Sequence, residues 1–281
     1  MDNSKCISKL DSNDWEKAWK DELGEEIKKK KFWTKDTPKI NFEKIAIKDE
    51  YHDKLIEKLI LDENDTVLDL GCGEGAVTTL VAEKVSEVVG LDSSDMMLDL
   101  LQQRIDHGNI ENIQTKKMKI EDATVDTVGK FDIVLASRSF MGIHDIKNVL
   151  INSNEISKKY VFLAVFGRRN WRIEKKFYEK IGKDYPDFAP HDYIFNMLIN
   201  LGIYPNIEHF DLEGNRKYDD LDDAFIRMKW KNENLTEDEI DKIKPFLKEN
   251  LTLNKEDGML ENTLDKSDLV LIWWSKDSYN W

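Results

Sequence analysis

Residues 66–77 read T-V-L-D-L-G-C-G-E-G-A-V, and this stretch decides the fold of the 281-residue chain. Its beginning is a short apolar run typical of a buried strand. Its end is the start of an apolar pattern typical of a helix. Between them stand three glycines, each separated from the next by one residue. The stretch therefore predicts a strand, a tight turn and the first turn of a helix.

Gly71, Gly73 and Gly75 supply what a tight ligand-binding turn needs. Glycine adopts backbone angles with φ > 0 at little cost, and its missing Cβ lets a ligand approach the main chain. The helix that begins near Gly75 leaves unpaired N–H groups at its positive end. A nucleotide or nucleoside is the usual ligand of such a turn, although a turn that only connects two elements would show the same glycines.

The chain beyond this turn alternates between strand patterns and helix patterns. Further strands are predicted at 87–91, 113–120, 131–136 and 160–166, and apolar helical patterns separate them. Strands joined by helices of this length form a parallel sheet with right-handed crossovers. A final apolar run at 268–274 predicts one more strand. The predicted fold class is therefore α/β, a three-layer sandwich with a mostly parallel sheet.

The N-terminal part of the chain has only helical patterns. Trp15, Trp19, Leu23 and Ile27 recur at every fourth position and predict an amphipathic helix. A second helical pattern runs over 42–61. We therefore predict that residues 1–61 form an N-terminal helical extension or lid.

Residues 62–281 are predicted to form the main domain, interrupted by a cap insertion at about 168–190. That insertion is polar, aromatic and irregular, with Pro186 and Pro190. Beyond it, residues 220–251 are helical and strongly charged, with a break near 232–234.

The composition restricts the partners of the chain. A formal net charge of -14 repels polyanions, so a nucleic-acid substrate would need a strong local basic patch. A small molecule or a protein is the expected substrate. The two cysteines, Cys6 and Cys72, are too few for a disulfide framework or a cysteine-based zinc site, and no cluster has metal-ligand spacing.

The same composition predicts a cytoplasmic protein without a membrane anchor. The N-terminus is polar and charged, and it lacks the apolar core of a signal peptide. No apolar stretch approaches the length needed to span a bilayer.

Acidic residues stand where the second and third predicted strands end. Asp92 follows the second strand, and a carboxylate there can accept two hydrogen bonds from the diol of a ribose. The triplet Glu121-Asp122-Ala123 follows the third strand, where a carboxylate could accept from the exocyclic amine of adenine. An exposed acid would explain either position, but the two together favour an adenosine-type ligand.

In four segments the chain resembles the class I S-adenosylmethionine-dependent methyltransferases, a Rossmann-like family, and within it the small-molecule type. The segments are 67–75, 90–97, 121–123 and 131–136. The resemblance covers roughly 62–166. It implies a seven-stranded sheet whose last strand is antiparallel, and it implies S-adenosyl-L-methionine as the cofactor, with S-adenosyl-L-homocysteine as the product.

The resemblance also implies roles for individual residues. Asp69 and the glycine turn would hold the methionine part, Asp92 the ribose, and Asp122 the adenine amine. Met97 or a neighbour would face the adenine ring. The full predicted cofactor site consists of Asp69, Gly71, Cys72, Gly73, Gly75, Asp92, Ser93, Met97, Glu121, Asp122, Ala123 and Ser137.

A nicotinamide oxidoreductase is the main alternative from the motif itself. Gly71, Gly73 and Ala76 satisfy the pattern G-x-G-x-x-G/A of dinucleotide-binding folds. However, Asp69 precedes the first glycine, where its charge would repel a pyrophosphate and attract a methionine ammonium. The acidic step at 121–123 also has no role in that alternative.

The loop after the fourth strand, 137–145, supplies candidates for the acceptor side, because ligands of such sheets bind outside the carboxyl ends of the strands. His144 is a candidate general base, or else a capping or merely exposed histidine. Arg138 is a candidate substrate contact, or else a partner in a surface salt bridge. The loop lacks the Asn/Asp-Pro-Pro-Tyr/Phe and Pro-Cys sequences of nucleobase methyltransferases, which argues against a nucleic-acid substrate.

Cationic and aromatic residues concentrate in the cap. Arg168, Arg169, Trp171 and Arg172, with Trp33 from the N-terminal extension, could bind a flat anionic metabolite. Packing tryptophans and solvated arginines are the alternative reading.

The resemblance implies transfer of a methyl group from S-adenosyl-L-methionine to a small-molecule oxygen, nitrogen, sulfur or carbon. Two other functions stay open: a non-catalytic cofactor-binding or scaffold protein with this fold, and a protein methyltransferase.

Overall fold

The structure, a computed structural model, describes residues 11–29, 50–167, 169–185, 191–212, 216–231, 235–265 and 268–276. These residues divide into two units. The first comprises the described parts of Met1–Phe166, Asp187–Phe210 and Leu269–Trp281. The second comprises the described parts of Gly167–Pro186 and Asp211–Asp268.

The strands alternate with helices along the first unit, as the sequence predicts.

In chain order the strands of both units are β1 (Thr66–Leu70), β2 (Glu87–Asp92), β3 (Ile113–Lys117), β4 (Phe131–Ser137), β5 (Ser157–Phe166), β6 (Asn206–Asp211), β7 (Arg216–Tyr218), β8 (Thr252–Leu253), β9 (Leu260–Asn262) and β10 (Asp268–Ser275).

The helices are α1 (Ser12–Lys29), α2 (Glu50–Lys58), α3 (Ala76–Ala82), α4 (Asp95–Gly108), α5 (Val125–Val128), α6 (Ile146–Ile156), α7 (Arg172–Lys180), α8 (His191–Asn200), α9 (Leu221–Lys231), α10 (Glu237–Ile240) and α11 (Ile243–Asn250). A 3₁₀ turn, Ile120–Asp122, follows β3.

The seven-stranded sheet of the first unit has the order β3-β2-β1-β4-β5-β10-β6. The pairs β1/β2, β1/β4, β2/β3 and β4/β5 are parallel, and β10 runs antiparallel to β5. The predicted fold class is therefore confirmed, including the antiparallel last strand. Nearly every residue of β4 is buried, as expected for a central strand with both faces covered.

Strand register brings the carboxyl ends of three strands together. Asp69 on β1 pairs with Gly90 on β2 and with Leu135 on β4. Because these strands are parallel, the loops that follow them leave the sheet at one edge. The glycine turn, Asp92 and the 137–145 loop all begin at this edge.

Helix α1 carries the predicted apolar stripe in three of its four residues, and the side chain of Ile27 lies outside what the structure describes. The side chains of Trp19 and Leu23 are buried, and Trp15 packs against Tyr193 with ring centroids 5.8 Å apart. The Trp19 Nε1–H donates to the carbonyl of Ile143 over 2.7 Å, which attaches α1 to the loop after β4. The second predicted helix is described over Glu50–Lys58, and the rest of 42–61 before it lies outside the described residues.

The second unit has its own core. Ile173 and Phe177 of α7 are buried together with residues of α9, α11 and β7, and β7, β9 and β8 form a three-stranded antiparallel sheet. The prediction that 168–190 is irregular was wrong for α7, because residues four apart on one helix face are buried in this core.

The predicted cap at about 168–190 overlaps the first segment of the second unit. Its second segment, 211–268, is a region that the sequence analysis kept within the main domain. The boundary between an N-terminal extension and a main domain at residue 61 stays a prediction. Within the described residues, no helix combines the length and apolar character needed to cross a bilayer.

Candidate functional site

The glycine turn is built by hydrogen bonds to its neighbouring strand. The Gly71 and Cys72 N–H groups both donate to the carbonyl of Leu91, over 2.7 and 3.0 Å. Gly71, Gly73 and Gly75 have φ of 77°, 56° and 84°. This left-handed run reverses the chain within a few residues and delivers it into α3, which only glycine does without strain at each step.

The three glycines differ in what surrounds them. A Cβ at Gly71 would lie 2.5 Å from the Cβ of Ser139, and one at Gly75 would clash with Leu101 Cδ1. Both positions therefore need glycine for close packing as well as for φ. A Cβ at Gly73 would meet no atom within 4 Å, so the main chain at Gly73 borders open space and is accessible to a ligand.

Asp69 is a buried carboxylate with an unsatisfied oxygen. Its Oδ2 accepts a hydrogen bond from Thr78 Oγ1 over 2.7 Å, whereas Oδ1 has no hydrogen-bond partner among the described residues. The pKa of Asp69 is raised to about 7, mainly by burial; the Thr78 hydrogen bond lowers it, and the charges of Asp92 and Glu74 contribute to the increase. A bare buried carboxylate oxygen is costly, so this position fits a cationic N–H group of a ligand.

Asp92 ties the turn to the end of β2. Its Oδ2 accepts from the Gly73 N–H over 3.0 Å, and its Oδ1 accepts from the Ser94 N–H over 2.8 Å. Burial is the main cause that raises its pKa, and these backbone hydrogen bonds oppose it. Each carboxylate oxygen keeps a second lone pair, so two further hydrogen bonds from a ligand diol remain possible.

The two predicted cofactor residues that follow Asp92 differ in burial. Ser93 is exposed. Met97 is buried, and its N–H donates to Ser94 Oγ, which caps α4. The predicted contact of Met97 with an adenine ring stays a prediction.

The 3₁₀ turn after β3 reaches the same edge. The Met118 N–H donates to the carbonyl of Asp92 over 3.0 Å, and Ile120 Cδ1 lies 3.0 Å from where a Gly71 Cβ would be. Glu121 and Asp122 are exposed, whereas Ala123 is buried. The 3₁₀ turn therefore lies beside the glycine turn through Ile120, and the contact of Asp122 with an adenine amine stays a prediction.

Cys72 has the environment of a packing residue. Its Sγ lies 3.1 Å from where a Gly90 Cβ would be. Burial raises the pKa of the Cys72 thiol, and the nearby charges of Asp69 and Asp92 add to this effect. The thiol therefore stays neutral at physiological pH and lacks the thiolate character of a nucleophile.

The end of β4 holds a polar and aromatic cluster. Ser137 Oγ and Tyr51 Oη, from α2, are hydrogen-bonded over 2.5 Å. Arg138 Cζ lies 4.1 Å from the centroid of the Tyr51 ring. Ser139 Oγ donates to the carbonyl of Leu70 over 2.5 Å, which joins this loop to the end of β1.

His144 is half-buried and directly follows Ile143, whose carbonyl accepts from Trp19. Its role as a base stays a prediction. Within the described residues, no group of three or more His, Cys, Asp or Glu could hold a metal ion.

Two of the predicted substrate residues of the cap, Arg169 and Trp171, have structural contacts or burial within the second unit. Arg169 Nη2 lies 3.2 Å from Asp268 Oδ1, and its backbone N–H donates to Asp268 Oδ2. Trp171 is buried, with φ of 59°, and precedes α7. Arg172 is exposed at the start of α7. Trp33 and Arg168 lie outside the described residues. A substrate role for these residues stays a prediction.

The sequence analysis did not identify Thr78, Ser139 or Tyr51 as residues of the site. Thr78 stands at the third position of α3, where nothing in its spacing identifies it as the partner of Asp69. Tyr51 and Ser137 are separated by 86 positions, and no sequence motif links them.

Comparison with known proteins agrees with this geometry. Residues 61–181 match a family model described as a methyltransferase domain. An uncharacterized protein of Haemophilus influenzae is 26% identical over 246 residues, which cover 87% of this chain and 89% of that protein. A probable cobalt-precorrin-6B C(15)-methyltransferase (decarboxylating) of Methanococcus maripaludis is 31% identical over 140 residues, 47% of this chain and 70% of that protein.

Solved structures share the fold. A putative methyltransferase of Bacillus halodurans has a TM-score of 0.58 at 17% identity, covering 81% of this chain and 99% of that one. Coclaurine N-methyltransferase bound to N-methylheliamine and S-adenosylhomocysteine has a TM-score of 0.53 at 16% identity, covering 96% of this chain and 86% of that one.

Proposed function

We propose that this chain, a member of the class I S-adenosylmethionine-dependent methyltransferases with its methyltransferase domain at residues 61–181, transfers the methyl group of S-adenosyl-L-methionine to a small-molecule acceptor. The observation that carries the proposal is Asp69 Oδ1, a buried carboxylate oxygen without a partner among the described residues, beside the glycine turn.

Asp69 suits the ammonium of the methionine part. An N–H⁺ donor at Oδ1 would satisfy the missing hydrogen bond and neutralise a charge that burial disfavours. Thr78 fixes the other oxygen, so the carboxylate is oriented before the ligand arrives. A pyrophosphate at the same place would bring negative charge against Asp69, which disfavours a dinucleotide.

Asp92 suits the ribose, and the open main chain at Gly73 suits the part of the ligand between ribose and methionine. The Gly73 N–H already donates to Asp92, which places the carboxylate and the turn on one ligand-sized surface. Asp122 and Ala123, at the neighbouring 3₁₀ turn, are the proposed contacts of the adenine.

The cofactor supplies a methyl group activated by its positively charged sulfur, so little acid or base chemistry is asked of the protein. This chain's residues bind and orient: Asp69 and Asp92 hold the two ends of the methionine and ribose region, and the loop after β4 faces the acceptor. His144 is the candidate that accepts a proton from an acceptor whose nucleophile carries one.

A small molecule is the proposed acceptor. The net charge of -14 opposes a nucleic acid. One similar protein, from Acinetobacter baumannii, is named as a ubiquinone biosynthesis O-methyltransferase, and another is named as a decarboxylating C(15)-methyltransferase. These names differ in the acceptor atom, so the proposal leaves oxygen, nitrogen, sulfur and carbon open. A location in the cytoplasm remains part of the proposal.

Calorimetric titration of the purified chain with S-adenosyl-L-methionine and S-adenosyl-L-homocysteine tests the cofactor, with NADH as the control. Saturable binding of both sulfur nucleosides and none of NADH is expected. Binding of NADH alone would overturn the proposal. Binding of the sulfur nucleosides with no methyl transfer to any metabolite mixture would favour the non-catalytic alternative.

Cofactor affinity is expected to fall below pH 7. Burial raises the pKa of Asp69 to about 7, so at lower pH the free protein carries a neutral carboxyl that must lose its proton before it pairs with an ammonium. The Kd of S-adenosyl-L-homocysteine should rise by up to about tenfold per pH unit between pH 7 and 5. Titrations across this range, with circular dichroism confirming the fold at each pH, measure this slope, and a constant Kd would contradict the pairing.

A further inference from the structure

We propose that the methyl acceptor carries an anionic oxygen group, a carboxylate or a phosphate, and that Arg138 binds it. This inference rests on the proposed function, since it concerns the second substrate of the same site. Tyr51 is the positioning residue that orients the guanidinium.

Arg138 has a cation that the rest of the described chain does not neutralise. Its side chain is half-buried, and no Asp or Glu of the described residues pairs with it. By contrast, Arg169, Arg216 and Arg227 each lie within 4 Å of a carboxylate. The chain has 56 acidic residues, yet none of those described lies within ion-pair distance of this half-buried guanidinium. Its five N–H donors fit the two oxygens of a carboxylate or phosphate.

The guanidinium is held before any ligand arrives. Its Cζ lies 4.1 Å from the centre of the Tyr51 ring, which is the cation–π arrangement. The Tyr51 ring is fully buried, stacks on Phe210 with an interplanar angle of 11°, and is fixed at its hydroxyl by Ser137. Stacking uses the face of the guanidinium and leaves its N–H edges to donate.

The backbone at Arg138 is strained. Its φ of 58° lies in the left-handed region, and its N–H donates to the carbonyl of Ala164 over 2.7 Å. An arginine gains no local hydrogen bond from this conformation, which is uncommon for residues other than glycine and occurs at functional sites. Asn109 has a similar φ, but it ends α4 as a C-cap. Arg138 ends no helix, so the conformation serves to direct its side chain onto Tyr51.

Arg138 stands next to the proposed cofactor site. Leu135 pairs with Asp69, so Ser137 lies level with the first glycine of the turn. Ser139 contacts that glycine directly, since its Cβ lies 2.5 Å from where a Gly71 Cβ would be. Arg138, between these two serines, therefore belongs to the loop that closes on the turn, and an anion bound there would bring its acceptor atom to the cofactor.

Labelling the product tests the charge of the acceptor. The full chain is incubated with methyl-labelled S-adenosyl-L-methionine and a deproteinised bacterial small-molecule extract, and the labelled product is separated on an anion exchanger at pH 8. Retention is expected. Treatment with alkaline phosphatase then distinguishes the two sources of the anion, because it abolishes retention of a phosphate ester and leaves that of a carboxylate.

Variants assign the binding to Arg138. With the labelled acceptor purified, Arg138→Gln is expected to raise its KM about 10- to 100-fold, the value of one charge-assisted pair, and Arg138→Lys to raise it less. The Kd of S-adenosyl-L-homocysteine should change less than about twofold in both variants, because the cofactor contacts are separate. Tyr51→Leu, which removes the ring, should raise the acceptor KM with the same cofactor Kd.

Arg227→Gln is the matched control. Arg227 also lies over a tyrosine ring, 5.6 Å from the centroid of Tyr218, but its guanidinium is paired with Asp223. The KM of the Arg227→Gln variant for the acceptor should equal that of the wild type.

A labelled product that contains neither a carboxylate nor a phosphate group would overturn this inference and leave the proposed function standing, as would an unchanged acceptor KM in Arg138→Gln. Cofactor binding without any labelled product would overturn both.

Discussion

Replacing Asp69 by Asn is expected to weaken the binding of S-adenosyl-L-homocysteine by at least about 100-fold, because removing one partner of a buried ion pair costs about 3–5 kcal/mol. The ammonium of the ligand would meet an amide whose carbonyl is held by Thr78 and whose NH₂ group faces the ligand's own donors. Calorimetry at pH 8, where the wild-type carboxylate is ionised, measures the loss.

The same substitution should leave the unliganded protein as stable as the wild type at pH 8. Burial raises the pKa of Asp69 from 3.8 to about 7 in the folded chain. Between these two pH values the folded state binds more protons than the unfolded state, so the free energy of unfolding decreases as pH rises. Above pH 7 the full penalty, of order 4 kcal/mol, is present. Asn carries no charge, so the variant avoids this penalty. This gain offsets the cost of burying the amide N–H groups of Asn without acceptors.

Asp65→Asn is the matched control for this experiment. Asp65 is buried as deeply as Asp69 and precedes the same strand at its opposite end, where its Oδ1 pairs with Lys159 over 2.5 Å. Its substitution should lower the unfolding temperature and leave the Kd unchanged. The reverse pattern, with stability lost and affinity retained in Asp69→Asn, would make Asp69 a structural residue and remove the main support for the proposed cofactor.

The fold was predictable where the signal is local. The strand, glycines and helix start of residues 66–77 are adjacent in sequence, and the alternation of strands and helices admits few topologies. The antiparallel direction of β10 was implied by the family resemblance, whereas the strand order of the sheet was not predicted. The second unit was not predictable in this way, because β7 and β9 have three residues each, too few for a pattern.

In the candidate site, too, features that depend on local sequence could be predicted, and contacts between distant segments could not. Acids at strand ends could be located from the sequence, because parallel topology brings those ends to one edge. Tyr51 could not, because its contacts with Ser137 and Arg138 come from packing of α2, a helix remote in sequence. Likewise, nothing in the sequence distinguishes the role of Arg169 from that of Arg138. In the structure Arg169 is paired with Asp268, whereas Arg138 lies over an aromatic ring.

Asp92→Ala is expected to weaken the binding of S-adenosyl-L-homocysteine by at least about 100-fold, the value of two hydrogen bonds from a diol to a charged acceptor. The variant also loses the acceptor of the Gly73 and Ser94 N–H groups, so its turn is less fixed and its unfolding temperature should drop by a few degrees. Asp95→Ala is the control, because Asp95 is exposed and its pair with Lys117 contributes little to stability or binding.

A ligand without the ribose hydroxyls distinguishes two effects of Asp92→Ala: the loss of hydrogen bonds to the ribose and the loosening of the glycine turn. The wild type should bind the 2′,3′-dideoxy analogue of S-adenosyl-L-homocysteine about as weakly as Asp92→Ala binds the natural ligand, because both lack the same hydrogen bonds. Asp92→Ala should then bind the two ligands with nearly equal affinity, which is the coupling expected of groups in contact. If the variant still preferred the natural ligand by the wild-type factor, the ribose hydroxyls would have another partner and Asp92 would act only by holding Gly73.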